Sequence, residues 1–402
     1  MVRTASLFSQ LLQQIPRVEF ARLVHRHQAE RHAKGFSCWS QLVGMLFCHL
    51  AKAESLREIC NGLASCEGKL AHLGLGRRPN KSTLSYANAH RSAELYWELL
   101  WTVLEGFRAR GDIPGRQHRF RFKNKLFSID STTISLCLSL FPWAEFRRAK
   151  GGVKLHVMLD HDDYMPTFAD ISPAKQNDQK VLRRLRFNAG SIVVADAAYN
   201  DFSVYADWTE RGVYFVTRMR CNTVYEVVIR RRPPHNRNIL SDELIRLSGR
   251  RAPGRCPHVL RRIVVWDHDN QREIVLLTNH LEFGATTIAE IYKDRWKIEL
   301  FFKALKQNLK IKTFVGTSEN ALRIQIWTAL LALVLLKWLH YLSRASWSLS
   351  NLASLLRLNL FTYRDLIAWL HHPLQTPPLE PGPVQLHLPL KALGQHITTR
   401  RR

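Results

Sequence analysis

The sequence predicts an α/β core, a mixed five-stranded sheet flanked by helices, interrupted by a β-rich insertion and preceded by an all-helical region. Three observations carry that expectation. Residues up to about 115 read as helices throughout. From about residue 120, short runs rich in β-branched residues alternate with helical segments. Strand-like runs then fill 219–283, and the helical pattern returns at about residue 286. With 402 residues, 46% hydrophobic and 23% charged, the chain is long and apolar enough for two or three domains, which excludes a disordered polypeptide.

In the helical region, Ser55-Leu56-Arg57-Glu58 is a capping box, in which the Ser55 hydroxyl and the Glu58 carboxylate satisfy each other's backbone donors. The Gly/Pro-broken basic turn GLGRRPNKS (74–82) follows, and then one long helix over about 82–108. That helix opens on Ser82, Thr83, Ser85, Tyr86, Asn88, His90 and Arg91, and later turns apolar with Leu95, Trp97, Leu99, Leu100 and Val103. Helix, basic turn and polar-fronted helix suit a helix-turn-helix reader of the major groove, and equally an ordinary bundle with a solvated turn.

The strands of the core are KLFSIDSTTISL (125–136), VKLHVMLD (153–160) and MPTFADIS (165–172), with HDDY (161–164) as the hairpin turn between the second and third. NDQKVLRRL (177–185) reads as a helix, SIVVAD (191–196) as a buried strand, DFSVYADWTERG (201–212) as a helix and VYFVTR (213–218) as the fifth strand. This is the element order of a ribonuclease-H-like sheet, in which the first strand lies beside the fourth. The insertion contains TVYEVVIRRR, a polar loop, and RRIVVWDHDNQREIVLLTN, a hairpin turning at His268-Asp269-Asn270. The expected division is 1–118 as a helical DNA-binding region, 119–218 with 284–345 as the core, 219–283 as the insertion, and 346–402 as a helical, Pro-rich basic tail ending in Arg400, Arg401 and Arg402. IQIWTALLALVLL (324–336) is too short to span a bilayer and is followed by Lys337 and His340, so it reads as a buried helix. The first residues show no apolar run of a secretory signal, and there is no internal repeat.

Charge narrows the function. Fifty-nine Lys and Arg against 33 Asp and Glu leave +26, a self-repulsion that makes sense when the partner is a polyanion. Nucleic acid is favoured over an anionic membrane surface. Seven scattered cysteines without a C-x-x-C pair argue against a disulfide framework or a zinc ribbon and suit a reducing compartment.

Two acids stand out in the strands. Asp130 sits inside an apolar, hydroxyl-bearing strand, where an acid is costly without a partner. Asp196 closes VVAD at the carboxyl end of a hydrophobic strand, the end at which open sheets bind ligands. If the strands are neighbours, the two carboxylates repel unless they share a proton or a divalent cation, and Mg²⁺ takes such a pair together with phosphate oxygens. Either residue alone reads more readily as a turn or capping aspartate.

The third acid lies in IYKDRWKIELFFKALKQNLKIK (291–312). Ile298, Phe301, Phe302, Leu305 and Leu309 form a core stripe, and a second stripe carries Tyr292, Arg295, Glu299, Lys303, Lys306 and Lys310. Glu299 is the one acid of that stripe, between cations on both sides. At ~1.5 Å per residue the row would cover about 27 Å, most of a turn of B-DNA. It suits a metal ligand on a phosphate-tracking ridge better than a surface helix with intrahelical ion pairs.

These residues resemble the DDE transposases of bacterial insertion sequences, in particular the insertion-sequence-four family. The family's mark of Tyr, two residues, Arg, three residues, Glu, six residues, Lys falls on Tyr292, Arg295, Glu299 and Lys306, and its first two acids on Asp130 and Asp196. Ala197 stands where relatives often carry Arg, and no DNA contact is assigned to it. The resemblance implies phosphoryl transfer with two Mg²⁺ (or Mn²⁺) ions held by Asp130, Asp196 and Glu299, cutting transposon ends and joining them to target DNA. It further implies DNA-phosphate contacts by Tyr292, Arg295 and Lys306, to which the stripe adds Lys303 and Lys310. Double-stranded DNA is then the partner, with a homodimer on the DNA, no membrane, and a bacterial cytoplasmic, nucleoid-associated location. A structure-selective nuclease on the same fold and a non-catalytic DNA-binding relative are the rivals.

Other groups read as structural. His161, Asp162 and Asp163 are expected in a turn, Asp170 of the third strand is expected to be structural, and Trp208, Trp266 and Trp296 are expected to pack. His156 and Lys154 share one side of the second strand and could support the first.

Overall fold

The computed structural model describes residues 5–378 except 32, 34, 67, 116–119, 148–149, 236–237, 250–253, 310 and 312. The helical region contains α1 (Leu7–Leu12), α2 (Arg17–Arg26), α3 (Cys38–Leu50), α4 (Leu56–Ala64), α5 (Lys81–His90) and α6 (Glu94–Ala109). Ser55 Oγ caps α4 by accepting from the Glu58 N–H at 3.2 Å, while the Glu58 carboxylate accepts from the Glu54 N–H at 2.8 Å. The capping box is therefore displaced by one residue on its return arm. The long helix expected over 82–108 is two helices. Arg91 is extended (φ −79°, ψ 141°), and Asn320 from a distant helix donates to the Asn88 and Arg91 carbonyls at 2.9 and 2.6 Å, taking up groups that a continuous helix would use.

The sheet begins with β1 (Leu126–Leu136), β2 (Glu145–Arg147), β3 (Lys150–Asp160) and β4 (Met165–Pro173). After the short α7 (Gln179–Leu182) come β5 (Ile192–Ala195), α8 (Phe202–Glu210) and β6 (Tyr214–Arg218). β1 lies antiparallel to β3 and parallel to β5, and β5 is parallel to β6. The first strand thus lies beside the fourth of the expected five, as a ribonuclease-H-like order requires. Four further strands follow: β7 (Tyr225–Arg231), β8 (Ile239–Leu247), β9 (Leu260–Asp267) and β10 (Arg272–Thr278).

The expected five-stranded sheet is in fact larger. β10 pairs antiparallel with β6, so the inserted strands continue the same sheet, ten strands in all, in the order β2-β3-β1-β5-β6-β10-β9-β8-β7 with β4 on β3. The stretch read as a polar loop supplies β8. Its acids are answered across the ladder: Asp242 by Arg261 of β9 at 2.7 Å, and Glu243 by Arg262 at 2.9 Å.

The chain returns through α9 (Ala285–Asp294), α10 (Trp296–Asn308), α11 (Glu319–Leu342), α12 (Leu349–Leu358) and α13 (Leu366–His371). The Pro-rich end from residue 379, including the three final arginines, lies outside the described residues. α11 is long and apolar enough to cross a membrane, yet here it is a core helix, its side chains from Ile324 to Leu336 buried by protein. One apolar cluster joins it to α3 and α6, to Val157 of β3, and to Phe301 and Phe302 of α10. A separate cluster on the other face of the sheet holds Ile129, Met158, Tyr199 and Trp208.

Candidate active site

Strand alternation decides which β1 side chains meet α10. Asp130 stands opposite Val157, on the face packed by α10, whereas Ser131 stands opposite His156 on the other face. Ile129 pairs in parallel with Ala195, so Asp130, inside β1, and Asp196, one residue past β5, follow this paired position on the two neighbouring strands. Glu299 lies in the first turn of α10.

Arg295 and Tyr292 link all three acids. The guanidinium donates to Asp130 Oδ2 through Nη1 at 3.0 Å and to Glu299 Oε1 through Nη2 at 2.6 Å. The Tyr292 hydroxyl donates to Asp196 Oδ1 at 3.4 Å. Burial above all, with the nearby charges of Asp196 and Glu299, pushes the Asp130 carboxyl up to about 6, while Arg295 and the Ser131 N–H pull against that rise. Burial also pushes the Tyr292 phenol up to about 12, so it is a hydrogen-bond donor near neutral pH. Arg295 has its charge opposed by burial, but Tyr292, Asp130 and Glu299 hold its pKa above the ordinary value. Among the described residues no group of three or more His, Cys, Asp or Glu side chains is gathered closely enough to hold a metal ion, and Arg295 stands between Asp130 and Glu299.

Beside them opens a groove of about 490 Å³ lined by Asp130, Ser131, Thr132, Glu299, Lys303 and Lys306, among others. Lys303 is exposed, and Lys306 is half-buried with Nζ 3.5 Å from the Thr133 carbonyl. Lys310 lies outside the described residues. The ridge is also not one helix. Arg295 separates α9 from α10, and α10 ends at Asn308 with Leu309 already extended, so the 27 Å row does not form as a straight line.

Sequence reasoning missed a polar cluster on the opposite face of β1. Asp178, just ahead of α7, accepts from Lys154 Nζ at 2.8 Å and from Ser131 Oγ at 3.4 Å. His156 bridges the Tyr199 hydroxyl (3.1 Å) and Ser172 Oγ (2.8 Å), and burial pushes its pKa down to about 4. The shared side of His156 and Lys154 was the signal; nothing marked Asp178. The HDDY turn forms as expected, and Asp170 pairs with Arg184 at 2.7 Å. Trp208 is buried, but Trp296, expected to pack, is 57% exposed beside Arg295.

The site is carried by a mixed sheet with flanking helices, with one acid inside β1, a second just past the parallel strand β5 and a third on the facing helix α10. The family model "Transposase DDE domain" matches residues 121–335, and "Domain of unknown function (DUF4372)" matches residues 3–76. "Putative transposase y4zB" of Sinorhizobium fredii is 32% identical over 308 residues, covering 76% of this chain and 83% of that protein. "Putative transposase for insertion sequence element IS4SA" of Synechocystis is 25% identical over 284 residues, covering 66% and 73%. The piggyBac transposase, solved as a synaptic complex with hairpin DNA, aligns over 93% of this chain and 81% of its own at a TM-score of 0.44 and 10% identity. The chain belongs to the DDE transposase family, among the transposases of insertion sequences.

Proposed function

We propose that this chain cleaves DNA at the ends of its own insertion sequence and joins the freed 3′ ends to a target by metal-dependent phosphoryl transfer. The observation that carries the reading is the convergence of Asp130, Asp196 and Glu299, from two strands and a helix, around Arg295 and Tyr292. Their chemistry fits a divalent cation: three hard-oxygen ligands, one of them half-buried beside two like charges, with its carboxyl pushed up to about 6. Asp130, Asp196 and Glu299 would hold two Mg²⁺ or Mn²⁺ ions, which when bound supply an activated oxygen nucleophile and neutralise charge on the leaving oxygen. The chain's own contribution is alignment. Tyr292, Arg295, Lys303, Lys306 and Lys310 would grip phosphates, Arg295 exchanging an acid for a phosphate oxygen as its forked donors allow.

Residues 1–118 would read the terminal sequence. The support is the exposed face of α5, with Lys81, Ser82, Thr83, Ser85, Tyr86 and His90 outward. Asn88 and Arg91, by contrast, turn inward to Gln41, at 2.8 and 3.1 Å. The link from α4 to α5 is longer than a helix-turn-helix turn and contains a 3₁₀ turn over Leu70–Leu73. Cutting both ends calls for a homodimer on DNA, in the bacterial cytoplasm.

The test is a strand-transfer assay with a labelled duplex made from the DNA flanking the coding region, in Mg²⁺ and in EDTA. Nicking followed by joining to a target plasmid is the expected result, with Glu299→Gln abolishing both while DNA binding persists. Nicking without joining would make the chain a structure-selective nuclease. Binding without any metal-dependent nicking would make it a non-catalytic relative.

A further inference from the structure

His161 opens the β3–β4 turn, yet it is fully buried, as is Ser128. His161 Nδ1 donates to Asp294 Oδ2 at 2.7 Å, and its Nε2 lies 2.6 Å from Ser128 Oγ. The Tyr164 hydroxyl donates to the same Asp294 oxygen at 3.0 Å. Hydroxyl, imidazole and carboxylate stand in the order of a hydrolase triad, but this hydroxyl is sealed inside a strand where no substrate reaches it. The group must be explained by what it ties together.

It ties the two elements whose relative placement sets the acid site. Ser128 is two residues before Asp130 on the same face of β1, and Asp294 immediately precedes Arg295 at the break between α9 and α10. The Arg295–Asp130 contact and the Asp294–His161–Ser128 chain therefore close a small ring across the strand–helix gap. The turn itself cannot drift: Arg108 holds Asp163 at 2.8 Å, and Lys337 of α11 donates to the Tyr164 carbonyl at 2.6 Å.

We infer that Ser128–His161–Asp294 is a clasp that positions Arg295 against Asp130 and Glu299, which makes His161 and Asp294 positioning residues of the reaction. The inference rests on the phosphoryl-transfer reading above. Asp294 fits the part because only an acceptor is required there, so an amide oxygen serves where an alkyl group cannot. Rotation of the guanidinium by a fraction of a bond length would misplace two of the three acids at once, and a misplacement of about 1 Å costs up to ~100-fold in rate.

The experiment compares Asp294→Asn, Asp294→Leu and Ser128→Ala with the wild type. Single-turnover cleavage of the labelled terminal duplex is measured in Mg²⁺, with duplex Kd and thermal midpoint measured on the same samples. The expected result is a fall of about ten- to 100-fold in single-turnover rate for Asp294→Leu and a smaller fall for Ser128→Ala, with Kd within about threefold. Asp294→Asn should recover most of the rate. A role confined to folding would lower the midpoint and raise the apparent Kd together, and would not spare the amide variant. Ser128→Ala, which removes one oxygen, keeps the question open to decision if Asp294→Leu folds poorly. Leu and Ala variants that cleave at the wild-type rate, or an amide no better than the alkyl, overturn the clasp alone. A wild type that cleaves nothing overturns the enzymatic reading and the clasp with it.

Discussion

Arg295→Gln removes the cation shared by Asp130 and Glu299 while keeping a shorter, neutral polar side chain. The guanidinium is 13% exposed, and the two carboxylates 20% and 34%. Breaking a fully buried pair costs about 3–5 kcal/mol, and an exposed pair is worth ~0–1 kcal/mol. The partial exposure here places the loss between them, at about 2–3 kcal/mol in EDTA. Part of that loss is repulsion between two carboxylates no longer screened by the arginine, and a divalent cation in the same place should return it. A ligand that binds only the folded state adds ~1.4 kcal/mol for each tenfold rise of its concentration above Kd. Magnesium titrated at constant ionic strength should therefore raise the thermal midpoint of the variant more than that of the wild type. A second sample with Glu299→Gln should lose most of the increment. Scanning calorimetry in EDTA and in millimolar Mg²⁺ measures both quantities. A variant as stable as the wild type in EDTA, or one with an equal magnesium increment, would show that the arginine does not stand in for a cation and that the acids do not form a cation seat.

Three further outcomes are expected. Asp242→Ala strips the bidentate partner from Arg261, whose side chain is 3% exposed, and should cost about 3–5 kcal/mol in urea unfolding. Lys303→Ala should weaken binding to any duplex and lower the slope of log K against log salt by about 0.9, read by fluorescence anisotropy across a salt series. Burial pushes Lys337 down from 10.5 to about 8. Its folded pKa is thus below its unfolded one, so the penalty is full below pH 8 and fades as pH rises toward 10.5. The wild type should gain about 3 kcal/mol relative to Lys337→Met over that window, read from paired urea midpoints.

The acids could be read from sequence because each is a local anomaly. Asp130 interrupts an apolar strand, Asp196 closes another, and Glu299 stands alone among cations at helical spacing. Parallel pairing of β1 with β5 then needed only the element order. What stayed hidden depends on partners far away in the chain. The charges of ILSDELIRL look like a loop until Arg261 and Arg262 are set across from them. The break at Arg91 is imposed by Asn320, more than two hundred residues later. His161 looked like an ordinary turn residue because its two partners, Ser128 and Asp294, come from either side of the whole inserted sheet.

α11 carries several of these distant contacts. Its first turn places Asn320 on the α5–α6 junction and so fixes how α5 presents its exposed polar face. Near its other end, Lys337 and Tyr341 grip the turn that carries His161, at 2.6 and 2.5 Å. Between these points the helix is buried and packed in the same apolar cluster as α3, α6 and α10. Close-packed interiors shift little before they break. The surface proposed to read DNA and the residues proposed to cut it thus pack against one buried helix, which would set their spacing before DNA arrives. Recognition of a terminal sequence by α5 would then set which phosphate reaches Asp130, without a hinge between reading and cutting.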